Sequence, residues 1–471
     1  MYLLKKINFI PIIYLIFTIS LIINYNNYDG SKLLFIIFHI ICLISSIRLT
    51  DKNISSVEFY LIIFLILSFW LKYSYLIYIK DFSIIEGNYD ANNSTLDGAT
   101  ILIIVSFCAC IFSGYISKIL IDKYVSSKFF FLKHSFKNFY KKYKLFLIFS
   151  VIIYIFSIYI INFNFKIHAK GIINNEVAPL VKYFFAWNYT YGLALLVSTL
   201  LFIDYKVLKN QKLKFFVLLE PILTSVTSLS RVGILFFFVY LRGLFQINFL
   251  KVFKNNYILN IFKILILSLI VLSLSIYLTS HLRNKNYNFV KGKVDINSQY
   301  ELIKELVILR WVGIDGVLAV SQKKNKNFEL FYESIKERKS KNFYDSFYIN
   351  NFFQKAKIDT IEEKIYHNNH KENVFWIVTP GIVAFLSYTG SKIFLFFSLS
   401  TIIILLIFLE RVFLIFSGYN YILTNIIGFS LSFRLIHFGY LPSNSIKFLL
   451  SYFIALFFLY VLFKLVWDTK R

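Results

Sequence analysis

The run KLFLIFSVIIYIFSIYIINF, residues 144–163, holds twenty residues and one charge, at its first position. A helix that crosses a bilayer needs about 20 mostly apolar residues, because each adds about 1.5 Å against a hydrocarbon core about 30 Å thick. The run therefore reads as a membrane span. Comparable runs lie near 7–24, 33–49, 57–79, 99–121, 183–204, 212–229, 232–248, 258–280, 376–409, 412–434 and 447–467. The sequence predicts an all-α fold, a polytopic membrane helix bundle of about twelve transmembrane helices. The first run follows Lys5 and Lys6 with no small-residue cleavage site, and more spans come after it, so it reads as an uncleaved anchor. The stretch 376–409 is long for one helix, and Pro380, Gly381 and Gly390 allow a short re-entrant piece followed by a span.

The whole chain agrees with its spans. Of 471 residues 58% are apolar, 20% aromatic and 16% charged, and the mean hydropathy is +0.65. A soluble globular chain carries roughly a quarter charged residues. A soluble secreted enzyme, a disordered protein and a DNA-binding protein with a soluble core are thereby excluded. The net charge of +26 comes from 51 basic residues, of which 42 are Lys and nine Arg. Lys, Ile, Phe and Asn are inflated together, as translation of an AT-rich genome inflates them, and no nucleic-acid partner is expected. Arg, being scarce, is the more informative cation. Cys42, Cys108 and Cys110 lie in apolar runs with no paired framework or CxxC spacing, so they indicate neither disulfide nor metal.

Lys and Arg in short loops set orientation. The connection 118–144 holds eight Lys against Asp122, loop 204–214 four Lys against Asp204, and 242–257 carries Arg242, Lys251 and Lys254. In contrast, 80–98 has Lys80 against Asp81, Glu86, Asp90 and Asp97. With both termini inside, twelve spans put every basic loop in the cytoplasm. The expected organisation is nine spans over 1–280, one large external loop over 281–375, and three spans over 376–471. Within the loop, 301–322 is apolar enough to pack as a helix on the membrane surface, and 323–373 suits a solvated domain or lid. No internal repeat and no inverted pair of broken segments is present, which weighs against a secondary transporter.

An ionisable residue at membrane depth is a functional candidate by default. Glu220 lies mid-run in FFVLLEPILTS, directly before the helix-kinking Pro221. A hydrogen-bonded structural carboxylate and a direct chemical role fit it equally. TSVTSLSRVG, 224–233, ends its hydroxyl run at Arg231 on the predicted outer side. Hydroxyls there either replace backbone bonds at a helix turn or line a polar cavity that Arg231 faces. A guanidinium suits phosphate through two parallel charge-assisted bonds. Arg310 and Trp311 open RWVGIDGVLAV, with Gly313, Gly316 and Asp315, where a snorkelling anchor is the alternative. SFRLIHFGYLP sets Arg434 and His437 three apart, on one face if the helix continues, and nearby positive charge keeps a His neutral. His367 and His370 form HNNH without a third fixed ligand, so no metal site is expected. Walker A, G-x-G-x-x-G and G-x-S-x-G motifs are missing from the sequence, which excludes common nucleotide-driven and serine-hydrolase chemistry.

SLSRVGILF at 228–236, RWVGIDGVLAV at 310–320, VTPGIVAFLSYTGS at 378–391 and FRLIHFGYLP at 433–442 resemble bacterial Wzy-type O-antigen polymerases, or oligosaccharide repeat-unit polymerases. The resemblance covers the layout from about residue 170 onward, including the external loop before the last spans. It implies a GT-C-like glycosyltransferase of the bacterial inner membrane that uses no nucleotide sugar directly and no cofactor. Its substrate would be oligosaccharide repeat units on undecaprenyl diphosphate. The growing glycan would pass from its lipid diphosphate to a sugar hydroxyl of a new unit at the periplasmic face. Arg231, Arg310 and Arg434 would bind the diphosphate, and His437, with Asp315 and Glu220 behind it, would be the catalytic base. Membrane lipid, a flippase and a chain-length co-polymerase are the implied partners. Lys outnumbers Arg in the external loop, and the family's repeated R-x-x-x-G motif is not evident there. The rival readings are an O-antigen ligase, which transfers finished chains to lipid A core, and a lipid-linked oligosaccharide flippase.

Overall fold

The computed structural model describes residues 10–51, 53–82, 92–121, 130–169, 177–210, 212–230, 233–246, 277–279, 281–282, 308, 311–323, 325–336, 381–438 and 442–469. The described chain is almost entirely helical, and six helices are long and apolar enough to cross a membrane. They are Ser56–Ile79 (α3), Asn93–Leu120 (α4), His134–Phe165 (α5), Pro179–Leu208 (α6), Lys392–Phe416 (α12) and, within Pro442–Val466 (α14), Phe448–Val466. Shorter helices lie on other expected spans: Ile10–Tyr25 (α1), Lys32–Arg48 (α2), Lys214–Thr227 (α7), Gly233–Gln246 (α8) and Tyr421–Ile436 (α13). The expected span 258–280 falls outside the described residues except for 277–279.

Local chemistry explains where these helices start and stop. The Asn92 side chain accepts from Thr95 N at 2.9 Å and starts α4 at Asn93, six residues before the hydropathy boundary. Ser55 caps α3 in the same way, accepting from Glu58 N at 3.1 Å. Glu410 and Arg411 look like a turn in the sequence, yet α12 runs through them, and the chain instead turns at Ser417–Asn420, with Gly418 and Tyr419 at positive φ. Glu410 is buried there. The break expected within 376–409 falls at a left-handed Gly390, which separates Gly381–Leu386 (α11) from α12. α7 continues across Pro221 without ending.

The chain divides into two compact units. The first comprises 1–124, 294–408 and 431–448, and α1–α4 form much of it. The second comprises 125–293, 409–430 and 449–471; α5 packs on α6, and α7 packs on α8. It also holds the one departure from an all-α fold among the described residues, Phe130–Leu132 (β1) paired antiparallel with Trp467–Thr469 (β2). These strands come from the basic connection 118–144 and the C-terminal tail, two segments expected on one membrane face.

The segment 301–322 corrects an expectation. Its described part is Ile314–Gln322 (α9), with Ile314 and residues 316–320 buried against α4 and α11. Val317, Leu318 and Ala319 are wholly inaccessible, so α9 is a packed element of the first unit and does not lie on a membrane surface. At nine residues it is too short to cross a bilayer. Phe328–Lys336 (α10) follows and packs on 387–389.

Candidate functional site

The first unit assembles its polar centre on a defect in α3. Residues Ile66–Leu71 form a π-helical segment, a geometry frequent at functional sites. The Ser68 hydroxyl and Trp70 indole N–H in this segment are buried without hydrogen-bond partners among the described residues. Next in the chain is Lys72, whose ammonium donates to Asp315 Oδ2 at 2.8 Å and to the Trp311 carbonyl at 3.1 Å. Their side chains are only 3% and 13% exposed, so solvent screens the pair little. Burial pushes the Asp315 carboxyl above the usual carboxylate range, while the Lys72 ammonium pulls it down. Asp315 Oδ1 is buried with no donor to it among the described residues.

Two glycines let three segments meet beside this pair. Gly313 has φ +137°, and a Cβ there would lie 2.9 Å from the Phe69 ring. Gly381 has φ +78°, and a Cβ there would lie 3.1 Å from the Ile436 carbonyl oxygen and 3.4 Å from Gly313 Cα. Gly381 N also donates to the Phe438 carbonyl at 3.3 Å. The segments 311–320, 381–389 and 433–438 are thus in contact in the first unit, although they are far apart in sequence. Three of the four segments that carry the resemblance contribute to this junction.

His437 lies where α13 ends. Its ring stacks on Phe433 at 3.9 Å between centroids and meets Phe64 edge-on at 6.3 Å, and Phe64 lies 6.2 Å from Trp311. His437 Nδ1 is 3.0 Å from the Phe433 carbonyl. A proton on Nδ1 in that contact leaves the neutral ring its lone pair on Nε2, the form a general base needs. Arg434 is exposed, with its guanidinium over the Phe448 ring at 5.0 Å. The helix stops at Ile436, so the shared face expected of Arg434 and His437 gives way to contacts with different aromatic partners. Arg231 and Arg310 lie outside the described residues, as do His367 and His370.

Glu220 belongs to the second unit. Thr224 and Tyr240 hydroxyls donate to its two carboxylate oxygens at 2.7 Å each, and the Tyr159 hydroxyl lies 3.5 Å from Oε1. The hydroxyl run after it serves the backbone: Ser225 donates to the Ser230 carbonyl at 2.6 Å, Thr227 to Leu223 at 2.7 Å and Ser228 to Thr224 at 2.6 Å. That is the turn-stabilising use of 224–230.

Sequence reasoning missed Lys72. A cation inside the apolar run 57–79 was a visible signal under the rule for intramembrane charges. The abundance of lysine, 42 residues in this chain, masks that signal. No grouping of three His, Cys, Asp or Glu suited to a metal occurs among the described residues. Comparison with protein-family models, with curated proteins and with solved structures finds no match to the chain.

Proposed function

We propose that the chain is a membrane glycosyltransferase, a GT-C-like bundle of about twelve spans that polymerises undecaprenyl-diphosphate-linked oligosaccharide repeat units at the periplasmic face of a bacterial inner membrane. The observation that carries this reading is the junction in the first unit, where 311–320, 381–389 and 433–438 meet and bring Asp315 and His437 with them.

The chemistry follows from these groups. A sugar hydroxyl of the new unit attacks the anomeric carbon of the growing glycan. The carbon–oxygen bond to the lipid diphosphate breaks, and the diphosphate departs with its charge. Arg310 and Arg434 would stabilise that charge, and preorganised donors of this kind supply much of the catalysis. The hydroxyl proton passes to His437 first among the candidates, with Asp315 Oδ1 as the next acceptor. Positioned bases contribute about 10²–10⁴-fold. Glu220 ranks third because Thr224 and Tyr240 already occupy both of its oxygens.

The test is made in the native host. His437→Gln and Asp315→Asn chains, present at wild-type level, are expected to leave single-unit glycolipid and no long chains. Long chains accumulating on undecaprenyl diphosphate in a null strain would replace this reading with the ligase, and loss of externally exposed lipid-linked units would replace it with the flippase. Persistence of long chains in both variants would remove these two residues from the mechanism.

A further inference from the structure

In the second unit α5 is 32 residues long, about 48 Å at 1.5 Å per residue, against a hydrocarbon core about 30 Å thick. Its excess length is the N-terminal part, where Lys137, Lys141 and Lys142 stand before the apolar run. Packing brings other elements to the same end. Asp204, near the end of α6, accepts from the Tyr140 hydroxyl at 3.1 Å and from the Lys144 ammonium at 2.8 Å. Tyr140 packs on Leu200 and Ile203, with Leu213 from the α6–α7 turn against them. Lys133 Nζ donates to the Lys464 carbonyl at 2.6 Å, which adds the end of α14. These contacts place Lys206, Lys209 and Lys212, and Lys464, beside the α5 lysines.

The charge gathered there is of one sign and largely unneutralised. Asp204 is wholly buried and taken by Lys144, and Asp468 on β2 is the other carboxylate described at this end. Lys141, Lys142, Lys206, Lys209, Lys212 and Lys464 are exposed. Several lie over aromatic rings: Lys142 over Tyr143 at 5.2 Å, Lys206 over Phe202 at 5.2 Å, Lys209 over Tyr205 at 5.3 Å and Lys464 over Tyr460 at 5.6 Å. Aromatic rings favour the membrane–water interface, and an ammonium held over one stands at headgroup level. Beside the lysines the surface turns abruptly apolar, with Leu145 81%, Phe146 69%, Phe215 67% and Leu465 61% exposed.

We infer that this end of the second unit binds the phosphodiester headgroups of anionic phospholipids, with Lys137, Lys141, Lys209 and Lys212 among the contacting cations. A free anion would gain from the lysines alone. A phospholipid gains from both parts of the surface, its phosphate on the ammonium groups and its acyl chains on the adjoining apolar side chains. Each basic residue near an anionic surface strengthens attachment by about fivefold. The inference does not depend on the glycan chemistry.

The full chain, purified into nanodiscs of phosphatidylcholine alone or with phosphatidylglycerol, provides the test. Native mass spectrometry is expected to show phosphatidylglycerol retained in preference to phosphatidylcholine, and Tm to rise in the mixed discs. The variant K137Q/K141Q/K209Q/K212Q should retain at least about tenfold less phosphatidylglycerol and lose the Tm gain. Lys166→Gln, a single lysine at the other end of α5, should behave as wild type. Equal retention of both lipids by the wild-type chain overturns the inference without any variant, and so does wild-type behaviour of the quadruple variant. A Tm gain from inorganic phosphate in lipid-free detergent matching that from phosphatidylglycerol would show a free-anion site instead.

Discussion

Lys72 Nζ stands 2.8 Å from Asp315 Oδ2, so a residue of α3 and a residue of the short helix α9, 243 positions apart in the chain, form an ion pair shielded from solvent. Breaking such a pair by removing one partner leaves a buried charge uncompensated and costs about 3–5 kcal/mol, while replacing both partners with apolar residues is often neutral. Lys72→Met is therefore expected to lower Tm strongly in detergent. The double variant K72M/D315L should recover most of that loss. A double variant no more stable than Lys72→Met would show that the pair is not a coupled unit. Asp315→Asn should cost less than Lys72→Met, since the amide oxygen still accepts from Lys72.

Gly313 and Gly381 hold the junction together through backbone conformations that L side chains rarely adopt. Alanine at either position meets two penalties, strain of about 1–3 kcal/mol from the positive φ and a close contact with the Phe69 ring or the Ile436 carbonyl. The two penalties separate experimentally. Phe69→Leu in the Gly313→Ala background should return only part of the lost Tm, because the φ strain stays. Full recovery would mean that the Phe69 contact alone makes Gly313 necessary.

The spans were legible because hydropathy is a property of composition over about 20 residues, and a lipid solvent leaves the backbone few alternatives to helix. Six of the described helices are long and apolar enough to cross a membrane, and they lie on expected runs. Boundaries were less legible. Glu410 and Arg411 suggested a turn, yet a buried carboxylate is tolerated inside α12, and the turn went to Gly418 and Tyr419, where the backbone takes positive φ. The candidate site was partly legible. RWVGIDGVLAV stands out by its scarce Arg and paired glycines and FRLIHFGYLP by Arg434 and His437, and both reach the junction. Lys72 was hidden by its own abundance, and the π segment before it leaves no pattern in side-chain periodicity. The burial of α9 was missed because its apolar face looks the same whether it meets lipid or protein.

Arg434 offers its guanidinium from the last turn of α13, over Phe448. If it binds the departing diphosphate, the planar fork matters as well as the charge. Arg434→Ala is expected to abolish long chains, and Arg434→Lys to leave them shortened. With purified components, Arg434→Lys should lower kcat more than it raises KM, because the charge it stabilises grows only in the transition state. Equal activity of Arg434→Lys and wild type would take the guanidinium fork out of the mechanism.

Glu220 separates a structural carboxylate from a chemical one. Its oxygens accept from Thr224 and Tyr240 at 2.7 Å, so a Leu at this position leaves the buried Tyr240 hydroxyl without its acceptor, at about 1–3 kcal/mol, while Thr224 keeps only Tyr159 at 3.1 Å. Glu220→Leu should therefore lower Tm markedly. Glu220→Gln preserves the shape and one acceptor oxygen but cannot take up a proton at neutral pH. It should fold with a small loss of Tm, because either Thr224 or Tyr240 keeps its partner and the other faces an amide N–H₂. Long-chain glycan made at near wild-type level by Glu220→Gln would fix Glu220 as a structural acceptor for those hydroxyls. A folded Glu220→Gln chain that accumulates single-unit glycolipid would move it ahead of Asp315 as the group that receives the proton.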